Sequence, residues 1–151
     1  MKALGLRCST KEIIFAVYDN EQNEVITIEP IKLSNAFSLP QQLHEVRVEL
    51  ITIIKKNIIT HAGIRTAEPI AKINLNRVYF EGVILESFAE CNITKYYKGP
   101  IATISSKIGI PKKNFKLYTK GLLNYEKVNN WDSLKENEKE ALLTAIGAIN
   151  A

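Results

Sequence analysis

Two arginines stand at matching places in two short apolar runs of the sequence. Arg7 closes Gly5-Leu6-Arg7, and Arg65 closes Gly63-Ile64-Arg65. Each run is typical of a central β-strand, so we expect both side chains to emerge at the same edge of one sheet. A guanidinium stays protonated at physiological pH and presents a planar fork of donors that suits a phosphate or a carboxylate. The pair therefore predicts an anion-seeking pocket, to which the hydroxyl of Ser9 would add a donor.

A lysine-rich stretch between Cys91 and Asn130 is the second feature able to bind a charged partner. It contains eight lysines and one acid, Glu126, and thus carries +7, whereas the whole chain carries +4. Lysines neutralise phosphates and aromatic rings stack on bases, so this mixture is typical of a sequence-tolerant nucleic-acid surface. The residues predicted to form that surface are Lys107, Lys112, Lys113, Lys116, Lys120 and Tyr118, with Phe115 among them and Tyr96-Tyr97 upstream. A face that is merely solvated is the other interpretation of this pattern.

The length and composition fit one α/β domain spanning residues 1–151, with 46% hydrophobic and 24% charged residues. No apolar run reaches the ~18 to 20 residues that span a bilayer, and the first residues form a strand pattern instead of a signal-peptide layout. We therefore expect a soluble, cytoplasmic protein without membrane contact. Cys8 and Cys91 lack CxxC spacing and are predicted to be free, buried thiols. The phosphate-binding, dinucleotide, zinc and serine-hydrolase motifs are missing, so cofactor use has no support.

Five strands are predicted from short, β-branched or alternating runs. The first three are separated by short polar segments, which predicts an antiparallel meander. The fourth is reached through a helix and should therefore run parallel to the first. The predicted strands are Lys2–Cys8, Glu12–Tyr18, Glu24–Leu33, Ile58–Ala67 and Ile93–Lys98.

Two long helices are predicted from apolar residues at three- and four-residue steps. Ser38 is expected to cap the first helix, and Pro40 falls in its opening turn. The second should run from Asn74 to Glu90, with Gly82 near its centre. An exposed glycine there would cost ~1 kcal/mol, which predicts that Gly82 packs closely on the sheet.

The last third of the chain is predicted to be mainly helical. A brief helix should follow Gly99-Pro100 and stop at Gly109. Lys112–Trp131 is predicted as a mixture of helix and loop. Ser133 is expected to cap a terminal helix that turns apolar residues inward.

The resulting order, βββαβαβ followed by helices, is the order of the ribonuclease-H-like fold. Four local phrases resemble RuvC-type resolvases of that fold, and the resemblance depends on their order along nearly the whole chain. They are Lys2–Ser9, similar to the family's first strand; Asn74–Leu85, similar to its helix that runs into a Gly-Val-aliphatic stretch; Pro100–Lys107, similar to its Pro-x-x-aliphatic-basic segment; and Glu138–Leu143, similar to its Asp-Ala-Leu helix. The resemblance implies a mixed five-stranded sheet flanked by helices.

The resemblance also identifies positions where the family places metal-binding acids. Two-metal hydrolysis of a phosphodiester needs several converging carboxylates. The family's first-strand aspartate falls on Arg7, its fourth-strand glutamate on Arg65, and the two acids of its last helix on Asn137 and Glu140. Only Glu140 keeps the negative charge, and two guanidiniums would repel a divalent cation. We therefore expect no RuvC-type nuclease activity, no bound metal and no other cofactor.

Three interpretations of the arginine pair remain. One is an internal charge network with Glu140, in which Glu68 forms a plain salt bridge to Arg65. Another is an anion site formed by Arg7, Ser9, Arg65 and Glu140. The third is an unrecognised catalytic role.

Two functional hypotheses follow from the whole sequence. The first is a non-catalytic RuvC-like domain that binds nucleic acid or a protein partner, and a homodimer is plausible because RuvC-type proteins commonly pair. The alternative is a magnesium-dependent nuclease, similar to Holliday-junction resolvases, that uses displaced carboxylates. The displaced set would be Asp19, Glu68, Glu81 and Glu140.

Overall fold

The computed structural model describes all 151 residues, and its centre is a mixed five-stranded sheet. Its strands are β1 (Lys2–Cys8), β2 (Glu12–Asp19), β3 (Glu24–Lys32), β4 (His61–Arg65) and β5 (Lys95–Gly99). They lie in the order β3-β2-β1-β4-β5. The first three form an antiparallel meander, while β4 runs parallel to β1, and β5 runs parallel to β4. The predicted order of elements along the chain, the predicted meander and the predicted direction of β4 are confirmed.

Helices cover both faces of the sheet. They are α1 (Leu39–Asn57), α2 (Leu75–Glu90), α3 (Ile101–Ile108), α4 (Lys112–Thr119) and α5 (Glu136–Ala148), with one turn of 3₁₀ helix at Trp131–Ser133. One apolar core joins the sheet to α1 and α2, and a second joins it to α3, α4 and α5. No helix combines the length and the apolar character needed to cross a bilayer.

Successive side chains of β1 point to opposite faces of the sheet and therefore enter different cores. Leu4, Leu6 and Cys8 face α1 and α2, whereas Ala3 faces the α5 side. Burial raises the pKa of the Cys8 thiol to about 12, so this thiol is unreactive at neutral pH. Cys91 is also free but only partly buried.

The start of α1 agrees with the sequence prediction, whereas the start of α5 does not. Ser38 caps α1 as predicted, accepting a hydrogen bond from the backbone of Gln41. Ser133 does not cap the terminal helix: it lies in the 3₁₀ turn and donates to the carbonyl of Asn130. α5 begins instead after Lys135, whose backbone N–H donates to Glu138. The predicted cap was therefore two residues too early, because Ser133 already serves the preceding turn.

Strand ends differ from the prediction for similar reasons. Ile58 adopts a left-handed conformation, φ 55°, that ends α1, so β4 starts only at His61. Ile93 donates its backbone N–H to the carbonyl of Phe88 at the end of α2, so β5 starts at Lys95. In the region predicted as mixed, the structure contains a regular helix, α4.

The close contact between helix and sheet occurs at Gly5 and Gly63, and the prediction that Gly82 would supply it was wrong. Gly82 is exposed, and a Cβ added there would meet no atom within 4 Å. A Cβ on Gly5 would lie 2.1 Å from the carbonyl oxygen of Ala141. Gly63 pairs with Gly5 in register and is also crowded, by the Tyr97 ring. α5 can therefore rest directly on the two central strands.

Candidate functional site

The structure brings Arg7 and Arg65 side by side. They are register partners at the carboxyl ends of the parallel strands β1 and β4. Each stands two residues after a glycine that contacts α5, and alternate residues of a strand share a face. Both guanidiniums therefore lie on the α5 side of the sheet, where the glycines let that helix come close.

Glu140 of α5 lies between the cations and is almost fully buried, at 1% side-chain exposure. Its Oε2 atom lies 2.5 Å from Nε of Arg7 and 3.2 Å from Nε of Arg65. Its Oε1 atom accepts a hydrogen bond from Nζ of Lys116 at 3.0 Å. The contact with Arg65 is ionic only, because that Nε–H is not aimed at the carboxylate and has no hydrogen-bond partner. One carboxylate is thus shared by three cations from three different elements.

The charges around Glu140 determine its ionisation. Burial raises the pKa of Glu140, but attraction to Arg7 and Arg65 and hydrogen bonds from Arg7 and Lys116 outweigh burial and hold it below its usual range. Burial lowers the pKa of Arg65, and Glu140 and Glu68 oppose that change. A guanidinium pKa is so far above 7 that Arg65 stays protonated. Glu140 is therefore ionised and Arg65 is protonated at neutral pH.

Arg65 is committed to protein contacts on every side. One terminal nitrogen donates to the carbonyl of Thr66, and the other lies 3.5 Å from Oε1 of Glu68. The same oxygen of Glu68 accepts from the backbone N–H of Ile101 at 3.1 Å. Arg7 differs, since only its Nε makes a hydrogen bond and its side chain is 21% exposed. Arg7 and Lys116 are the cations through which this cluster meets solvent.

These residues do not fit a pair of divalent cations. Both oxygens of Glu140 already face cations, and Asn137, one turn earlier on α5, is neutral. No three His, Cys, Asp or Glu side chains converge anywhere in the structure in a way that could hold a metal ion.

The displaced set of acids suggested by the sequence does not assemble. Asp19 pairs with Lys2 in the sheet and so lies at the opposite end of β1 from Arg7. Glu81 binds Nε of Arg77 at 3.1 Å, and Glu68 binds Arg65 and Ile101. The four carboxylates do not converge on one point, so the cluster of the nuclease alternative is not formed.

Ser9 does not supply the donor predicted for an anion. Its hydroxyl donates to the carbonyl of Glu12 at 2.9 Å and accepts from the backbone N–H groups of Lys11 and Glu12. These bonds close the turn between β1 and β2. A serine in a tight turn commonly satisfies the local backbone in this way, and this competing use was overlooked in the sequence prediction.

The five lysines predicted to bind nucleic acid divide into two groups. Lys112, Lys113 and Lys120 are exposed on α4 and at its end, and none of them makes an ion pair or a side-chain hydrogen bond. We call these three residues the lysine surface. Lys116 belongs to the Glu140 cluster, and Lys107 donates to the carbonyl of Asn150. Three of the five lysines therefore have no partner within the protein.

Most aromatic side chains of the lysine-rich stretch pack in the core and are not displayed on the surface. Phe115 is fully buried, and Tyr118 is partly buried against Tyr125, with ring centroids 5.5 Å apart. Tyr97 donates its hydroxyl to the carbonyl of Thr144 and is also buried. Only Tyr96, at 48% exposure, presents a large part of its ring to solvent. The predicted stacking role of Tyr118 therefore has little structural basis, because α4 needs that ring to pack.

An exposed apolar face of α2 was not identified from the sequence. Leu75, Val78 and Tyr79 are 62%, 48% and 46% exposed, and the same side of the helix continues through Gly82 to Glu86, which pairs with Arg47 of α1. The opposite side carries Phe80, Ile84 and Phe88 into the core. A helix that is apolar on both sides commonly has a neighbour on each.

No protein-family model and no curated protein matches this sequence. Solved structures do match it in fold over almost the whole chain. The structure of RuvC from Thermus thermophilus superposes with a TM-score of 0.76 at 11% identity, covering 99% of this chain and 94% of RuvC. T. thermophilus RuvC in complex with a Holliday junction substrate gives the same TM-score and coverage at 12% identity. The chain therefore has the RuvC-type form of the ribonuclease-H-like fold.

Proposed function

We propose that this chain is a non-catalytic RuvC-like domain that binds nucleic acid through its lysine surface. The observation that carries the proposal is the freedom of Lys112, Lys113 and Lys120, which have no acidic partner on the protein. Free lysines are the groups that release counterions when they meet a phosphate backbone. The fold adds support, since RuvC of T. thermophilus has been solved with a Holliday junction substrate.

The absence of catalysis is proposed from the charge at the strand ends. Two-metal hydrolysis requires carboxylates that are free to coordinate cations. Here Arg7 and Arg65 occupy two of the acidic positions, and the remaining acid, Glu140, is neutralised by them and by Lys116. We expect no cleavage of junction, duplex or single-stranded DNA or RNA with Mg²⁺ or Mn²⁺. Metal-stimulated cleavage by the purified protein that disappears in Glu140→Ala would instead favour the nuclease alternative.

Neutralising the lysine surface should weaken binding. The triple change of Lys112, Lys113 and Lys120 to glutamine is expected to reduce affinity for a four-way junction and for a duplex by more than about tenfold near 100 mM salt. The slope of log affinity against log salt should fall by about one for each lysine that no longer neutralises a phosphate. Fluorescence anisotropy over a salt series measures both quantities.

A matched control removes the same charge elsewhere. Lys32, Lys55 and Lys56 are exposed and lie on β3 and α1, away from α4. Their change to glutamine should leave the affinity within about twofold of wild type, because overall net charge contributes less than direct phosphate contacts. Equal losses in the two triple variants would show that binding follows net charge alone and would contradict a defined lysine surface.

We further propose that two copies of the chain pair through the apolar face of α2. The face covers the first two turns of the helix, opposite its buried side, and Gly82 at its end would let a second helix approach closely. A two-fold pairing places the same face on both partners and so needs no second protein.

Val78→Glu tests this pairing. A charge at the centre of the face should make the protein monomeric, whereas Val48→Glu should leave pairing unchanged. Val48 is a suitable control because it is 45% exposed on α1, compared with 48% for Val78. Sedimentation equilibrium at several concentrations measures the effect. A wild-type protein that stays monomeric at high concentration would contradict the proposal.

A further inference from the structure

Arg7 has two terminal nitrogens left over after its Nε binds Glu140. We infer that its two terminal nitrogens, together with Nζ of Lys116 on the other oxygen of the same carboxylate, form a binding site for a phosphate group at the end of β1. The site takes the anion directly and needs no metal ion between them. With a nucleic-acid backbone as the source of the phosphate, the inference rests on the proposed function.

The bond to Glu140 fixes the direction of the Arg7 guanidinium. The carboxylate binds Nε, at 2.5 Å, and neither terminal nitrogen makes a hydrogen bond to the protein. A guanidinium is planar, so holding it at Nε also sets the plane of the terminal nitrogens. Their N–H groups suit two oxygens of one phosphate in the bidentate manner. Because the side chain is already ordered, it gives up little conformational freedom when the anion binds.

The charge of the cluster favours an incoming anion. Arg7, Arg65 and Lys116 face two carboxylates at short range, Glu140 and Glu68, which leaves one positive charge. Glu136 reaches only to 3.9 Å from Lys116 and is half exposed, so solvent screens it. Glu140 is 1% exposed, whereas Lys116 is 47% exposed. An anion therefore meets the two cations before it meets the carboxylate.

The site also explains why the arginines differ in their contacts. Arg65 is buried, donates a hydrogen bond to the carbonyl of Thr66 and forms an ion pair with Glu68, so it supports the cluster without reaching a ligand. Lys116 gives one N–H to Glu140 and, as an ammonium, has two more. Lys116 belongs to α4, the helix that carries two residues of the lysine surface. A phosphate at Arg7 would thus be one end of a longer backbone contact along α4.

Arg7→Gln replaces the charged guanidinium fork with a shorter, neutral amide and tests the site with two probes. The first probe is a DNA duplex in EDTA, for which we expect affinity to fall about tenfold and the salt slope to fall by about one. The second is inorganic phosphate, which should shift the ¹⁵N-edited NMR signal of the Arg7 side chain saturably in the wild type. Arg47→Gln is the control, because Arg47 is a surface arginine on α1 paired with Glu86.

Folding is monitored separately, because Arg7→Gln also takes a partner from Glu140. Arg7→Lys keeps the charge and a donor for Glu140 but lacks the planar fork, so it should fold like the wild type and bind duplex several-fold more weakly. Wild-type duplex affinity in both Arg7 variants, with loss of binding in the lysine-surface triple, overturns the site and leaves the proposed function standing. Saturable phosphate binding at Arg7 without duplex binding supports the site and overturns the proposed function. Failure of both probes on the wild type overturns both.

Discussion

Glu140→Ala is expected to lower the free energy of unfolding by about 3 to 5 kcal/mol, because it leaves buried positive charge without a partner. The electrostatic cost is largest at Arg65, because its side chain is only 8% exposed and its Nε has no hydrogen-bond partner to replace the carboxylate. Urea unfolding followed by circular dichroism measures the difference. Glu140→Gln keeps the side-chain shape and removes the charge, so it separates the electrostatic loss from the cavity left by alanine.

Glu136→Ala is the matched control for this prediction. Glu136 lies one turn earlier on α5, is 47% exposed and reaches Lys116 only at 3.9 Å. Exposed pairs of this kind contribute about 0 to 1 kcal/mol. Equal stability losses in the Glu136 and Glu140 variants would contradict the central role given to the buried carboxylate.

The same residue makes stability depend on pH in a defined direction. The folded-state pKa of Glu140 is lowered, so the unfolded chain binds its proton more readily than the folded chain does. The contribution is therefore fully present above the ordinary carboxylate pKa and is lost as pH falls through the lowered pKa in the folded protein. Acid titration of wild type and Glu140→Gln should give stabilities that converge as the solution becomes more acidic. Curves that stay parallel into strong acid would contradict the assignment.

Gly5→Ala is expected to lower the free energy of unfolding by at least about 3 kcal/mol, at the upper end of overpacking effects. The added Cβ would lie 2.1 Å from the carbonyl oxygen of Ala141 and 2.2 Å from the backbone nitrogen of Ala145. Both atoms belong to the helix backbone and cannot turn aside as a flexible side chain would. α5 would have to move off the sheet, which also draws Glu140 away from Arg7. Urea unfolding and near-ultraviolet circular dichroism test this result.

Gly82→Ala makes the same chemical change at an uncrowded position, where we do not expect a loss of stability. The new Cβ enters open space on an exposed helix, where alanine is favoured over glycine by up to ~1 kcal/mol. We expect equal or higher stability, measured at low protein concentration so that pairing through α2 contributes little. A Gly5→Ala protein as stable as Gly82→Ala would show that α5 does not approach β1 as closely as described.

Much of the fold could be predicted because its signals are local. Apolar runs indicated the five strands, and the serine at position 38 indicated the start of α1. The errors arose where a residue has two possible local uses. Ser133 serves a 3₁₀ turn instead of α5, and Ile58 takes a left-handed conformation although its side chain favours strands. Gly82 and Gly5 look alike in sequence, and only the packed helix shows which of them is crowded.

The candidate site could be predicted only in part, and for a related reason. Arg7 and Arg65 follow from the parallel register, because equivalent positions of neighbouring strands end together. Lys116 was predicted to meet nucleic acid, but the structure turns it toward Glu140, 24 positions further along the chain. No local pattern shows where a flexible side chain on one helix will reach on another. The sequence could not show that the terminal nitrogens of Arg7 have no partner either, because this depends on Glu140 binding Nε instead of the terminal nitrogens.

The contact between Arg7 and Glu140 joins residues 133 positions apart. α5 covers one face of β1, and α5 is synthesised more than 120 residues after that strand. This face of β1 is therefore exposed to solvent until the ribosome has synthesised α5. Such long-range closure slows folding, and exposed strand surface favours aggregation until it is covered. The early meander and α1 can pack before that point, but the cluster at Arg7 cannot form. Folding of the sheet and assembly of the charged cluster therefore finish in the same late step.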